Sequence, residues 1–206
     1  MTSDAAYRRD EVLRRRINGF LCETFHLPNS DYFGAMDLSS LLELKSVLSD
    51  INNTLTMRLT LGFVDWAART LQMDDAEVTQ LRNDVLSTKP SANGYDISFA
   101  HVPPLVAEVK CNVPINGGTK YGAAQKDGII ADIEALLNGK TKASAAPPPA
   151  DSLKFMVFLD VPAVRAANSH LIASNSRISK QFVIIQSGAI PRDPKVVYGV
   201  YANLGA

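Results

Sequence analysis

The amino-acid sequence predicts an α/β protein, a mixed sheet flanked by helices and preceded by a helical N-terminal subdomain. Three observations carry that expectation. Apolar residues recur at spacings of three and four through the first 90 residues. After Pro90 the pattern changes to short extended segments punctuated by Pro and Gly. Residues 155–159, FMVFL, form an apolar run short enough for a central parallel strand covered on both faces. The expected division is a helical subdomain over residues 1–90 and a core over residues 91–206.

Taken in order, Leu13, Ile17, Phe20 and Leu21 mark a first helix that Pro28 ends. Leu41, Leu44, Leu48, Ile51 and Leu55 mark a second, with Asp37 as its cap, and residues 59–71, which contain Trp66, a third. Asp74 followed by Glu77 has the spacing of a capping box for a helix through Leu86. Segments 95–100 and 105–112 flank the turn His101-Val102-Pro103-Pro104 and predict a hairpin. A loop, NVPINGGTK, leads to a helix over 121–137 with Ala124, Gly128, Ile129, Ile133 and Leu136 on one side. Residues 139–150 read as a flexible or polyproline connector. After the central strand, Pro162 opens a helix whose apolar side carries Val164, Leu171 and Ile172, and strands follow at 182–185 and 196–201. The core order is therefore β-β-α-β-α-β-β, with no internal repeat.

Composition narrows the class of protein. With 46% hydrophobic and 20% charged residues in 206, the chain can bury a core and is not of the disordered type. No run approaches the roughly 20 apolar residues that span a bilayer. The opening stretch lacks a secretory apolar core, and Cys22 and Cys111 lack zinc spacing, so a cytoplasmic protein with no membrane partner is expected. Net charge is zero but uneven: residues 21–90 hold ten acids and five bases, residues 91–206 eight acids and eleven bases. A mildly basic half can face a phosphate backbone. No GxGxxG, GxSxG or HExxH pattern is present, and His26, His101 and His170 have neither metal nor triad spacing.

The chemistry-bearing segment is LVAEVKC, residues 105–111. Side chains alternate along a strand, so Glu108, Lys110 and Asn112 share one face, with the first two about 7 Å apart at Cα. Ions within an apolar strand each carry a desolvation penalty of several kcal/mol unless partnered. Across the hairpin, Asp96 can approach Glu108, and two such carboxylates repel unless a cation lies between them. Oxygen donors of this kind suit Mg²⁺ or Mn²⁺. Glu43-Leu44-Lys45 and Asp193-Pro194-Lys195 share the acid-x-Lys spacing, but they fall on a helix and in a turn.

Gly94-Tyr95-Asp96-Ile97, with eleven residues between Asp96 and Glu108, and then Glu108-Val109-Lys110 in an apolar strand, resembles the PD-(D/E)xK nuclease superfamily, with Tyr95 where the nominal motif has proline. The resemblance covers roughly residues 90–160 and implies the restriction-endonuclease-like fold. It implies that Asp96 and Glu108 are metal ligands, the Val109 carbonyl a third candidate, Lys110 the group assisting the attacking water, and Gln125 on the following helix a further catalytic residue. An acid from an upstream helix, Glu43, Glu77 or Asp84, is expected to join them. Lys120, in a loop that can hold phosphate or simply turn the chain, and Asn112 are candidate substrate-binding residues. The expected activity is that of a Mg²⁺- or Mn²⁺-dependent endonuclease on double-stranded DNA, of restriction or defence type, working as a homodimer with paired sites. An RNA-directed nuclease and a non-catalytic interaction protein on the same fold remain the alternatives.

Overall fold

A computed structural model describes residues 8–89, 94–100, 102–114, 118–140, 150–186 and 188–205. Pro90, His101, Asn116, Gly117 and most of the expected connector, 141–149, lie outside the described residues. The chain forms two compact units, Met1–Ile51 and Asn52–Ala206. Compactness thus divides it within a helix rather than at residue 90, the boundary expected from the change in periodicity.

The first unit contains α1 (Arg9–Phe25) and the opening turns of α2 (Leu38–Leu71). Asp31 closes the intervening loop: its carboxylate takes the Arg14 guanidinium and the Asn18 amide, while Asn18 accepts from the Phe33 N–H. No α1 residue is buried. Two helices were expected between Asp37 and Leu71, yet α2 is one helix of 34 residues. Thr56, Met57 and Arg58 at the supposed junction include neither Gly nor Pro, so nothing interrupts the backbone hydrogen bonds.

In the second unit the rest of α2 and α3 (Asp75–Ser87) precede β1 (Ile97–Phe99), β2 (Leu105–Lys110), α4 (Ala123–Asn138), β3 (Leu153–Leu159), α5 (Pro162–Ala173), β4 (Phe182–Ile184) and β5 (Val197–Ala202). The five-stranded sheet runs β1-β2-β3-β5-β4. Its β1–β2 hairpin is antiparallel and the other pairs are parallel. The protein is therefore α/β with a mixed sheet flanked by helices, and β3 is the buried centre that its unbroken apolar run requires.

Strand alternation sorts the core into two faces. Leu105, Ala107, Val109, Phe155 and Val157 pack with Leu59, Phe63, Val64 and Ala67 of α2 and Leu81 and Val85 of α3. This packing is why those helices belong to the sheet unit. Trp66 joins this face, with ring centroids 5.5 Å from Phe63 and 5.6 Å from Phe155. Val106, Met156, Phe158 and Val197 meet Ile129, Ile133 and Leu136 of α4 and Val164 and Leu171 of α5. A Cβ at Gly62 would collide with the Asn203 carbonyl, so a glycine there admits the segment after β5 against α2. Among the described residues no helix is long and apolar enough to cross a membrane.

Candidate active site

The β1–β2 hairpin and the C-terminal half of α4 bring five charged side chains together. Ile97 stands opposite Ala107. One step further along the antiparallel register sets Asp96 beside Glu108, and directly opposed residues project to the same face. The Asp96 carboxylate accepts the Val109 N–H at 2.7 Å, continuing the ladder past the end of β1. Glu108 belongs to the face that α4 covers and is only 5% exposed.

Two lysines partner the acids. Lys140, just beyond α4, places Nζ 2.6 Å from Glu108 Oε1, donates to the Gly94 carbonyl and lies 5.0 Å from the Tyr95 ring centroid. Lys110 pairs with Asp132 of α4. Glu108 Oε1 and Asp132 Oδ2 are both buried, so each ion pair lies largely out of water. The Tyr95 hydroxyl donates to the Ala135 carbonyl at 3.1 Å and fastens the hairpin to the same helix. Among the described residues three carboxylates face two ammonium groups, an excess of one negative charge when all are ionised.

Burial dominates the electrostatics. It pushes Glu108 up to about 7, with the Asp96 charge adding to the rise and Lys140 opposing it. Asp96 is raised for the same first reason, against which the Val109 N–H and both lysines act. Additional positive charge would therefore be stabilised here. Among the described residues no group of three or more His, Cys, Asp or Glu is arranged to hold a metal ion. The carboxylate donors available together are Asp96 and Glu108. The Val109 carbonyl faces the same strand edge as its N–H, which is turned towards Asp96, so it is the backbone oxygen available on that side. An all-oxygen set with buried, imperfectly compensated carboxylates fits a hard divalent cation.

Of the residues that the sequence singles out, Asp96 is bonded to the Val109 N–H beside Glu108, whereas the Lys110 ammonium is turned to Asp132. Gln125 is placed differently: its Oε1 accepts from the Gly122 N–H and its Nε2 donates to the Val113 carbonyl. It ties the first turn of α4 to the chain leaving β2, about 10 Å along the helix from Asp132. Asn112 and Lys120 are exposed in the segment between β2 and α4. Of the upstream acids, Glu77 closes the capping box with Asp74, Asp84 belongs to α3, and Glu43 lies in the first unit. The third acid at the cluster is the downstream Asp132.

Asp132 and Lys140 escape the sequence reading. Helical spacing puts Asp132 on the side of Ile129 and Leu136, so a charge on an apolar stripe was the available signal. A lysine at a helix C-terminus has an ordinary use against the helix dipole, which leaves Lys140 without one. A cleft of about 310 Å³, lined by Asn53, Thr56, Thr60, Lys89, Tyr95 and Asp96 among others, opens beside the cluster. Compared with protein-family models, curated proteins and solved structures, the chain finds no match.

Proposed function

We propose that the protein is a divalent-metal-dependent endonuclease with the restriction-endonuclease-like fold of the PD-(D/E)xK superfamily, hydrolysing phosphodiester bonds in DNA. The placement of Asp96 across the hairpin from Glu108, with Lys110 two residues further along the same strand, supports this reading, through the bond that fixes Asp96 against Val109. Mg²⁺ or Mn²⁺ would be held by Asp96, Glu108 and the Val109 carbonyl, and when bound would lower the pKa of water and neutralise charge on phosphate. Lys110 orients the attacking water and Asp132 holds Lys110 in place. A cytoplasmic homodimer belongs to the same proposal, and Phe20, Phe25, Leu48 and Ile51, all about half exposed in the first unit, supply apolar surface for it.

A second reading, a non-catalytic interaction protein, draws on the fact that Glu108 and Asp132 already carry lysine partners. The two readings part in a cleavage assay on supercoiled DNA and single-stranded RNA, with Mg²⁺, Mn²⁺ or chelator. The nuclease cuts DNA, loses activity to chelator, and loses roughly 100-fold or more in Lys110→Ala with its circular dichroism unchanged. RNA cleavage alone reassigns the substrate. No cleavage of either leaves the interaction protein.

A further inference from the structure

Besides the lysine that the sequence assigns to catalysis, the cluster contains one that competes for the metal's own ligand. Lys140 Nζ lies 2.6 Å from Glu108 Oε1 and also donates to the Gly94 carbonyl, on the chain leading into Asp96. Its ammonium is set against the Tyr95 ring, and the side chain is only about a quarter exposed. Gly139, with φ of 89°, ends α4 immediately before it and turns the chain so that Lys140 reaches back to the hairpin. This placement differs from that of Lys110, whose partner is Asp132 and which leaves the Glu108 carboxylate untouched.

We infer that Lys140 is an internal counter-ion of the metal site, a positioning residue that holds Glu108 when no cation is bound and must leave it when one binds. The inference rests on the metal site proposed above. A buried carboxylate stripped of both metal and ammonium would be an uncompensated charge, a strongly destabilised state. Lys140 removes that state by supplying positive charge to the same oxygen. The consequence is linkage: what Lys140 gains from Glu108 is subtracted from the apparent metal affinity, and metal binding weakens the Lys140 contact by the same factor. On release the ammonium stays tethered beside Gly94 and Tyr95, next to the cleft that Asp96 lines.

The test titrates Mn²⁺ alone into the full chain by calorimetry, without nucleic acid, for wild type, Lys140→Met and Lys110→Met. Each variant deletes one positive charge from the cluster, but only the first frees Glu108. Lys140→Met should bind Mn²⁺ roughly five- to a hundred-fold more tightly than wild type, with a distinctly smaller gain in Lys110→Met. In unaltered protein, acetylation of Lys140 followed by mass spectrometry should be slow and should accelerate on adding Mn²⁺, a readout independent of how either variant folds. Equal or weaker binding by Lys140→Met, an equal gain in Lys110→Met, or a Lys140 labelling rate indifferent to Mn²⁺ overturns the counter-ion role and leaves the metal site standing. Absence of Mn²⁺ binding in all three proteins overturns both.

Discussion

Glu108 shows how one residue couples stability to function. Its carboxyl titrates at about 7 instead of near 4.5 because burial penalises its charge more than Lys140 relieves it. A group bound to its proton more tightly when folded favours folding below its unfolded pKa, and that contribution is lost as pH rises through the folded value. Urea unfolding of metal-free protein should therefore show stability falling between pH 4.5 and about 7, with Glu108 responsible for up to about 3 kcal/mol of the fall. Glu108→Gln should flatten this window, and an unchanged slope would show that Glu108 ionises freely. The same residue explains why the site is partly legible from sequence. A Glu and a Lys two apart in an otherwise apolar strand require partners, and Asp96 stands across a turn whose prolines are visible. The identities of Asp132 and Lys140 depend on where α4 lies against β2, and no local pattern records that.

Elements set the geometry that these residues use. β1 has three residues and ends just where Asp96 takes over the Val109 N–H, so the side chain acts in place of a further ladder bond. Gln125 works in α4 as a clamp on the helix start. Gln125→Ala should lower stability by about 1 kcal/mol in thermal or urea unfolding, as loss of a helix-terminal bond does, and keep DNA cleavage. Cleavage as low as that of Lys110→Ala, at unaltered stability, would return Gln125 to the chemistry. Strand positions, the order of the core and the capping box at Asp74 were readable because alternation, proline and capping spacing are local signals. The continuity of α2 was not: its exposed first half and its buried stretch from Leu59 onward read as two separate apolar runs, and only the absence of a breaker between them speaks for one helix.

Over the whole molecule, β3 couples the two layers of helices. Phe155 is fully buried between the sheet and α2, within 5.2 Å of the Phe63 ring centroid and 6.1 Å of Tyr198. Phe155→Ala should cost about 3–5 kcal/mol in chemical denaturation. A loss below about 1 kcal/mol would mean that this face repacks freely. The α/β class, the mixed sheet and its parallel centre follow from periodicity and run length. The boundary between compact units does not, because it is decided by which helices bury their apolar faces on the sheet, a long-range outcome. The proposed activity joins these scales, since β2 supplies Glu108 and Lys110, the hairpin supplies Asp96, and α4 with the residue following it supplies the partners of both β2 charges. The most direct measurement is the initial rate of supercoiled DNA nicking in millimolar Mg²⁺ by wild type and by Asp96→Asn. A metal-dependent rate in the wild type that falls at least roughly 100-fold in the variant, with folding intact, is the expected result. Equal rates in the two proteins, or none in either, would contradict a metal-dependent nuclease built on Asp96 and Glu108.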